Sequence, residues 1–320
     1  MPTPFARREF LAGMVAVTAA SATSRLMASA SSSSPFRVSV INDEISQDFG
    51  HVCEIATKEF GMGWIELRTM WKKNIVSLDE AEVVETSRLL KRFELKVTDI
   101  ASPLFKCDWS NAPKSKFSEG QSFGANFVLS QQDEVLERAM EMAKVFGTDR
   151  VRCFDFWRLD DQAPYRDGIN QKLRDAAAKA EKRGIILVLE NEPACNTATG
   201  AESAKVLEAV KSRSFMLNWD PGNAAASGEI PFPDGYNLLP KDRIGHCHCK
   251  DTVKKGKHFD WAPMGGGMID WAGQYKALKR DGYHFAVSLE THWSGGGSPE
   301  ECSRKSWAGM KKLLQEADAL

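Results

Sequence analysis

The chain has 320 residues, of which 42% are hydrophobic and 27% charged, as in an ordinary globular protein with one large core. Its formal net charge is -1 at pH 7, and no long basic run interrupts the chain. This balance argues against nucleic acid or an anionic membrane as the partner and favours a small, neutral or weakly charged ligand.

The first thirty residues read as an export signal. Arg7 and Arg8 precede a moderately apolar stretch at 11–22, and small residues at 28–30 offer a cleavage site. The apolar run is too short to span a bilayer stably. We therefore predict a twin-arginine signal, the twin-arginine export machinery as a partner, and a periplasmic or extracellular location. A disordered tail or an uncleaved anchor is the alternative.

The mature chain is predicted to begin with a flexible, serine-rich leader at 31–35, followed by one domain at 36–320. Seven cysteines are an odd number, spread widely over a chain that is large enough to fold without disulfides. No disulfide framework is indicated, although an isolated bridge is compatible with export.

Short β-rich runs alternate with longer amphipathic stretches along this domain. Strands are predicted at 37–41, 64–67, 96–100, 150–154, 185–190, 215–219, 244–249 and 285–289. Helices are predicted at 78–93, 132–146, 171–183, 202–211, 271–280 and 299–317. Roughly eight strands with helices between them predict a single-domain α/β fold, the (β/α)8 TIM barrel. An open doubly wound sheet is the alternative, but no Gly-rich dinucleotide or phosphate-binding motif follows the first strand.

Two segments, 105–131 and 224–240, are longer than the other connections. Long loops of a barrel usually follow strands and cover the active face, so both are candidate lids or substrate walls. Variable surface insertions would look the same in the sequence.

Each of the last four predicted strands ends in a strong metal ligand, namely Glu190, Asp220, His248 and Glu290. The carboxyl ends of barrel strands meet at one face, where three carboxylates would repel each other without a cation. Three oxygen donors and one nitrogen donor favour Mn²⁺, Mg²⁺ or Co²⁺, with Zn²⁺ as a further alternative. A lone acid at a strand end is often only a cap or a salt-bridge partner. The metal site is therefore inferred from the four residues together, not from any one of them.

Strand alternation sorts the residues of the seventh strand into two faces. His246, His248 and Lys250 share one face, which we assign to the barrel mouth. Cys247 and Cys249 then face the helix layer as small apolar residues; a soft-metal site would need a second cysteine pair nearby.

The mature domain resembles the sugar phosphate isomerase/epimerase family, the xylose isomerase-like or AP-endonuclease-2-like TIM barrels. The motifs that carry the resemblance are Leu189-Glu190-Asn191, Asp220-Pro221-Gly222-Asn223, His246-Cys247-His248-Cys249-Lys250-Asp251, Gly265-Gly266-Gly267-Met268-Ile269-Asp270-Trp271 and Leu289-Glu290. The resemblance implies that Glu190, Asp220, His248 and Glu290 bind one divalent metal ion.

The resemblance also implies substrate-binding roles. Asn223 stands where relatives that epimerise ketoses have a histidine, which puts that subclass in doubt. His246 would lie behind the ligands, and Lys250 would contact a substrate oxygen. Two further candidates come from position alone: Glu66 ends the second strand, with a salt bridge as the alternative, and Trp157 lies near the barrel loops, with simple packing as the alternative.

The implied activity is that of a metal-dependent sugar or polyol isomerase or epimerase. The metal would bridge carbonyl and hydroxyl oxygens and stabilise an enediolate. Glu190 and Glu290 would be the catalytic residues, removing and returning the proton from opposite faces.

Other activities remain open at this stage. The same chemistry would serve a lyase or hydrolase of 3-keto-glycosides or an inosose-type dehydratase, and a barrel without turnover would be a sugar-binding protein. A DNA-repair endonuclease of the same superfamily would need a three-metal cluster built from many histidines, whereas this chain has six histidines and no basic run. The sequence does not distinguish a monomer from a homo-oligomer.

Overall fold

The computed structural model describes residues 34–118, 126–256 and 258–320. The predicted export signal and most of the leader lie outside these residues, so both stay predictions. In the described part of the chain, no helix is both long and apolar enough to cross a membrane.

Eight parallel strands form one sheet. They are β1 Arg37–Val40, β2 Trp64–Leu67, β3 Lys96–Leu104, β4 Arg150–Cys153, β5 Ile186–Glu190, β6 Phe215–Trp219, β7 Ile244–Cys249 and β8 Ala286–Leu289. Their hydrogen-bonded order is β1-β8-β7-β6-β5-β4-β3-β2, and a parallel bridge between Ile41 and Glu66 connects the ends of the sheet. The sheet is therefore a barrel, and the predicted (β/α)8 fold is confirmed.

Helices follow the strands along the chain. They are α1 Phe49–Glu54, α2 Glu80–Arg92, α3 Gln132–Phe146, α4 Arg166–Lys182, α5 Gly200–Ala209, α6 Pro221–Ala226, α7 Tyr236–Leu238, α8 Trp271–Arg280 and α9 Pro299–Glu316. Gly147, the cap residue after α3, adopts the left-handed conformation (φ 72°), and Asp270, the cap residue before α8, accepts a hydrogen bond from the Gly273 N–H. The sequence pattern did not indicate α1, α6 or α7, so the segment 224–240 contains helical turns rather than one irregular loop.

Strand alternation separates an apolar outer layer from a polar barrel interior. Leu187, Leu189, Cys247 and Cys249 are fully buried in the hydrophobic core between the sheet and the helices. The cysteines therefore face the helix layer, as predicted. The interior face of the barrel instead carries fully buried polar side chains, among them Ser39, Glu66, Asn218, His246 and Ser288.

Two antiparallel hairpins lie outside the barrel. Thr69–Met70 pairs with Lys73–Asn74 after β2, and Asp251–Lys255 pairs with His258–Ala262 after β7. The second hairpin was not predicted, and it places Trp261 beside the carboxyl ends of the strands.

Candidate metal centre

The four predicted ligands converge at the carboxyl ends of β5 to β8. Glu190, Asp220, His248 and Glu290 are all buried, and their ligand-type atoms lie within 4.8 Å of one another. His248 Nδ1 lies 3.5 Å from Glu190 Oε1, 3.8 Å from Asp220 Oδ2 and 3.3 Å from Glu290 Oε2. Four side chains that are distant in the sequence therefore form one potential metal-binding site.

The turn after β6 fixes the orientation of Asp220. Its Oδ1 accepts the Asn223 N–H at 2.8 Å as the N-cap of α6, and Pro221 occupies the first turn, where its missing N–H is not needed. The Asp220 N–H in turn donates to Asn191 Oδ1 at 2.8 Å. Because one carboxylate oxygen caps the helix, Oδ2 is directed at the cluster.

The donor atoms fit a divalent cation. His248 Nδ1 is buried and makes no hydrogen bond within the described part of the chain. A buried polar atom without a hydrogen bond costs about 1–3 kcal/mol, which coordination to a cation would offset. Carboxylate oxygens with one imidazole nitrogen suit a moderately hard ion.

Lys250 already places a positive charge against this cluster. Its Nζ lies 2.6 Å from Glu290 Oε2 and 2.9 Å from Asp220 Oδ2. Burial opposes the charge of Lys250, but Asp220 and Glu290 outweigh it and raise its pKa. Lys250 is therefore an ammonium group that partly neutralises the carboxylates.

Two buried arginines complete the charge balance. Arg68 Nη1 donates to Glu290 Oε1 at 2.9 Å, and Arg152 Nη1 lies 3.1 Å from Glu190 Oε2. Each glutamate thus turns one oxygen toward His248 and the other toward a guanidinium. Neither arginine was predicted. The available signal was a spacing of two residues, which places side chains on the same face of a strand. Arg68 lies two residues after Glu66, and Arg152 lies two residues after Arg150 in a buried strand.

These charges set the protonation of the acids in different ways. Burial raises the pKa of Asp220 to about 7, more than the nearby Lys250 lowers it. Burial also opposes ionisation of Glu190, but His248 and Arg152 outweigh it and lower its pKa to about 2. The pKa of Glu290 is held well below its ordinary value because Lys250 and histidine charges overcome burial. Both glutamates are consequently ionised at neutral pH.

The five predicted substrate contacts lie in different places. Asn223 donates from Nδ2 to Glu190 Oε1 at 3.2 Å, so it and Lys250 both touch metal-ligand candidates. Glu66 and His246 are fully buried on the opposite side of His248 and bond each other at 3.0 Å. Trp157 is only 6% exposed and packs in a small separate cluster with other apolar side chains. Substrate contact stays a prediction for all five residues.

The glycine-rich loop after the second hairpin is held by Asp251. Its carboxylate accepts the N–H groups of Gly265 at 3.1 Å, Gly267 at 3.0 Å, Ile269 at 3.3 Å and Thr252 at 2.9 Å. A Cβ on Gly267 would lie 2.0 Å from Asp251 Oδ1, so only glycine fits there. This role of Asp251 was not predicted, because its partners are spread over 18 residues.

An aromatic wall stands beside the cluster. Lys250 Nζ lies 4.9 Å from the centre of the Trp261 ring, and the Trp261 and His292 rings are 5.4 Å apart. His292 adopts a left-handed backbone (φ 42°), and its N–H donates to Glu44 Oε2 at 3.0 Å. Trp261 is partly exposed, so this wall can meet a ligand from solvent.

A barrel with a metal-type donor set at its carboxyl-terminal face defines a class of TIM-barrel proteins. The family model of the xylose isomerase-like TIM barrel matches residues 55–314, and the chain belongs to that family. It is accordingly an enzyme of the metal-dependent xylose isomerase-like group.

Two relatives are named as enzymes that act on a sugar or a polyol. The chain is 25% identical over 234 residues to an inosose dehydratase of Geobacillus thermodenitrificans, covering 64% of this chain and 74% of that one. It is 22% identical over 253 residues to a putative L-ribulose-5-phosphate 3-epimerase of Escherichia coli, covering 70% and 87%. The structure of the IolI protein with a zinc atom superposes with a TM-score of 0.68 at 17% identity, over 89% of this chain and 99% of that one.

Proposed function

We propose that this protein is a divalent-metal-dependent isomerase or epimerase of a sugar or polyol, acting by proton transfer at a carbon beside a carbonyl. The observation that carries the proposal is the convergence of Glu190, Asp220, His248 and Glu290 within 4.8 Å. The relationship to a putative ribulose-phosphate epimerase supports the same reaction type.

The four residues would hold one ion, with Mn²⁺, Mg²⁺ or Co²⁺ favoured by the oxygen-rich donor set and Zn²⁺ as the alternative. A bound ion would polarise neighbouring carbonyl and hydroxyl oxygens of the substrate and so acidify the C–H between them.

Glu190 and Glu290 are the proposed proton-transfer groups. Both are ionised at neutral pH, as a proton acceptor must be, and they project from different strands into the same space. Arg152 and Arg68 hold the second oxygen of each carboxylate and fix its plane. One glutamate would remove the proton, and the other would return a proton to the opposite face or to the neighbouring carbon.

Lys250 and Trp261 would bind the substrate. The ammonium group of Lys250 has three N–H donors, and two carboxylates of the cluster lie within 2.9 Å of it, so one donor is left for a substrate oxygen. The partly exposed Trp261 ring offers an apolar face against which the C–H groups of a sugar can stack.

A dehydratase is the second candidate, and the relationship to an inosose dehydratase favours it. The first step would be the same removal of a proton beside a carbonyl. The pair of electrons would then expel a hydroxyl group, which leaves as water after taking a proton from an acid of the site.

Incubation of the Mn²⁺-loaded protein in D₂O with a panel of free ketoses, aldoses, inososes and 3-keto-glycosides tests both candidates. Deuterium incorporated at carbon without loss of a group supports an isomerase or epimerase, whereas a product whose mass is lower by that of water supports the dehydratase and a released aglycone supports the lyase. The Glu190→Gln and Glu290→Gln variants should fold and lose turnover. Activity retained in both variants would contradict the assignment.

We also propose export through the twin-arginine route, on the basis of Arg7, Arg8 and the small residues at 28–30. N-terminal sequencing of the protein from a cell that has this pathway should find the chain cleaved after Ala30. Replacement of both arginines by lysine should retain the uncleaved chain in the cytoplasm.

A further inference from the structure

A buried carboxylate lies directly behind the histidine of the candidate metal centre. Glu66, at the end of β2, reaches across the barrel interior to β7. Its Oε1 lies 3.0 Å from His248 Nε2, and its Oε2 lies 3.0 Å from His246 Nε2. All three side chains have no exposed surface. Each oxygen of the carboxylate therefore serves one imidazole.

This contact determines which nitrogen of His248 carries hydrogen. An ionised carboxylate can only accept, so the Nε2 of His248 must donate. Each oxygen of Glu66 lies 3.0 Å from an imidazole nitrogen, so the one carboxylate can accept a hydrogen from both rings. The Nδ1 of His248, which points at Glu190, Asp220 and Glu290, is then the nitrogen left to supply a lone pair.

The amide of Asn218 is compatible with the same arrangement. Its Nδ2 lies 3.1 Å from His248 Nε2, while its Oδ1 makes no hydrogen bond within the described residues. Two N–H donors cannot hydrogen-bond each other. Exchanging the positions of Oδ1 and Nδ2 in Asn218 gives the Nε2–H of His248 a second acceptor and gives the amide oxygen a partner.

His246 fixes the carboxylate in turn. The two imidazole rings are 5.3 Å apart and nearly perpendicular, at 86°, so they approach Glu66 along two different directions. A carboxylate held at both oxygens cannot rotate away from either ring. The sequence motif His246-Cys247-His248 thus provides one ligand candidate and one anchor for the group behind it.

We propose that Glu66 is a positioning residue that locks His248 in the Nε2–H tautomer, with His246 fixing Glu66, so that Nδ1 is presented to a divalent ion. The inference rests on the proposed metal centre and assigns Glu66 a role other than direct substrate contact. A carboxylate behind a ligating histidine typically contributes about 10- to 100-fold in metal affinity.

The test measures Mn²⁺ binding by titration calorimetry at one pH, without any substrate. Glu66→Gln keeps the side-chain shape but removes the charge, and its amide presents a donor to one of the imidazoles. We expect its affinity for Mn²⁺ to fall by about 10- to 100-fold relative to the unmodified protein. Equal affinity in both proteins would overturn the inference.

Asp99→Asn is the matched control. Asp99 is another fully buried carboxyl inside the barrel, on the neighbouring strand β3, and it makes no hydrogen bond within the part of the chain described. Burial raises the pKa of Asp99 well above its ordinary value and so favours the neutral acid, which the amide of asparagine resembles. We expect the Mn²⁺ affinity of this variant to stay within about threefold, whereas a loss equal to that of Glu66→Gln would refute a specific role for Glu66.

A second measurement reads the tautomer of His248 directly and needs no substitution of Glu66. Long-range ¹H–¹⁵N correlation spectra of the Zn²⁺-loaded protein report which nitrogen of each histidine is protonated, and loss of the signals in His248→Gln assigns them. We expect His248 to be protonated at Nε2 only. The opposite tautomer would overturn the inference even if Glu66→Gln failed to fold. Absence of any metal binding by the unmodified protein would overturn the metal centre itself as well.

Discussion

Replacement of Asp251 by asparagine should destabilise the protein without removing any metal-ligand candidate. The Asp251 carboxylate is fully buried and accepts four backbone N–H groups, two at each oxygen. Asparagine keeps one acceptor oxygen and places an NH₂ group where the other stood. Two N–H groups therefore lose their acceptor and face a donor.

The expected loss follows from these contacts. A hydrogen bond to a charged acceptor contributes about 1.5–3 kcal/mol, so two lost bonds correspond to about 3–6 kcal/mol. Burial raises the pKa of Asp251 in spite of its four N–H partners, which means that burying the charge is itself unfavourable. The neutral asparagine relieves that cost, so we expect a net loss of about 3 kcal/mol, at the lower end of this range.

Thermal unfolding followed by circular dichroism measures this loss. A change of 1 kcal/mol moves the melting temperature of a large domain by about 2 °C, so a loss of about 3 kcal/mol should make Asp251→Asn melt about 6 °C lower. Gly267→Ala should be destabilised as well, because its Cβ would lie 2.0 Å from Asp251 Oδ1 and 2.6 Å from the Thr252 carbonyl oxygen.

Gly63→Ala is the control, since no atom lies within 4 Å of a Cβ at that position. It should melt close to the unmodified protein. If Asp251→Asn melted within 1 °C of the unmodified protein, the four hydrogen bonds would not hold the loop as described.

Three further expectations concern other parts of the molecule. Arg68→Met should lower the free energy of unfolding in urea by about 3–5 kcal/mol, because it leaves buried carboxylates including Glu290 without their guanidinium partner; an unchanged unfolding midpoint would argue against the network. Chelation by EDTA should lower the melting temperature of the Mn²⁺-loaded protein, since a ligand present at 100 times its Kd stabilises by about 2.7 kcal/mol; identical melting with and without EDTA would count against a bound ion. All seven cysteines are free and buried, so a thiol reagent should titrate seven groups after denaturation and few before it; fewer than seven would reveal a disulfide.

The barrel could be predicted because each strand signal is local. All eight predicted strands occur, most with ends within one residue of the observed ones. The exception is β3, which continues to Leu104 beyond the predicted end at residue 100. Its pairing with β4 shifts register between Ile100 and Leu104. A shift of register depends on the neighbouring strand, and a single strand sequence does not reveal it.

The four ligand candidates could be predicted because polar residues that end successive parallel strands meet at one face. Arg68 and Arg152 were missed because arginine is usually exposed, and their burial depends on acids from distant strands. Glu66 was predicted to contact substrate, whereas its closest partners are two histidines 180 and 182 positions away. Contacts across a barrel of this kind have no signature in the local sequence.

The same cross-barrel contacts bear on how the two halves of the chain can fold. Glu66 and Arg68 belong to the first half, but their partners His246, His248 and Glu290 are supplied by the last two strands. A fragment that ended before β7 would leave Glu66 without its two imidazole partners, and Arg68 would keep only its partners from the first half of the chain, Asp43 and Glu44. The final strands therefore supply the partners of charged residues that are synthesised early. We expect the barrel to fold cooperatively only when all eight strands are present.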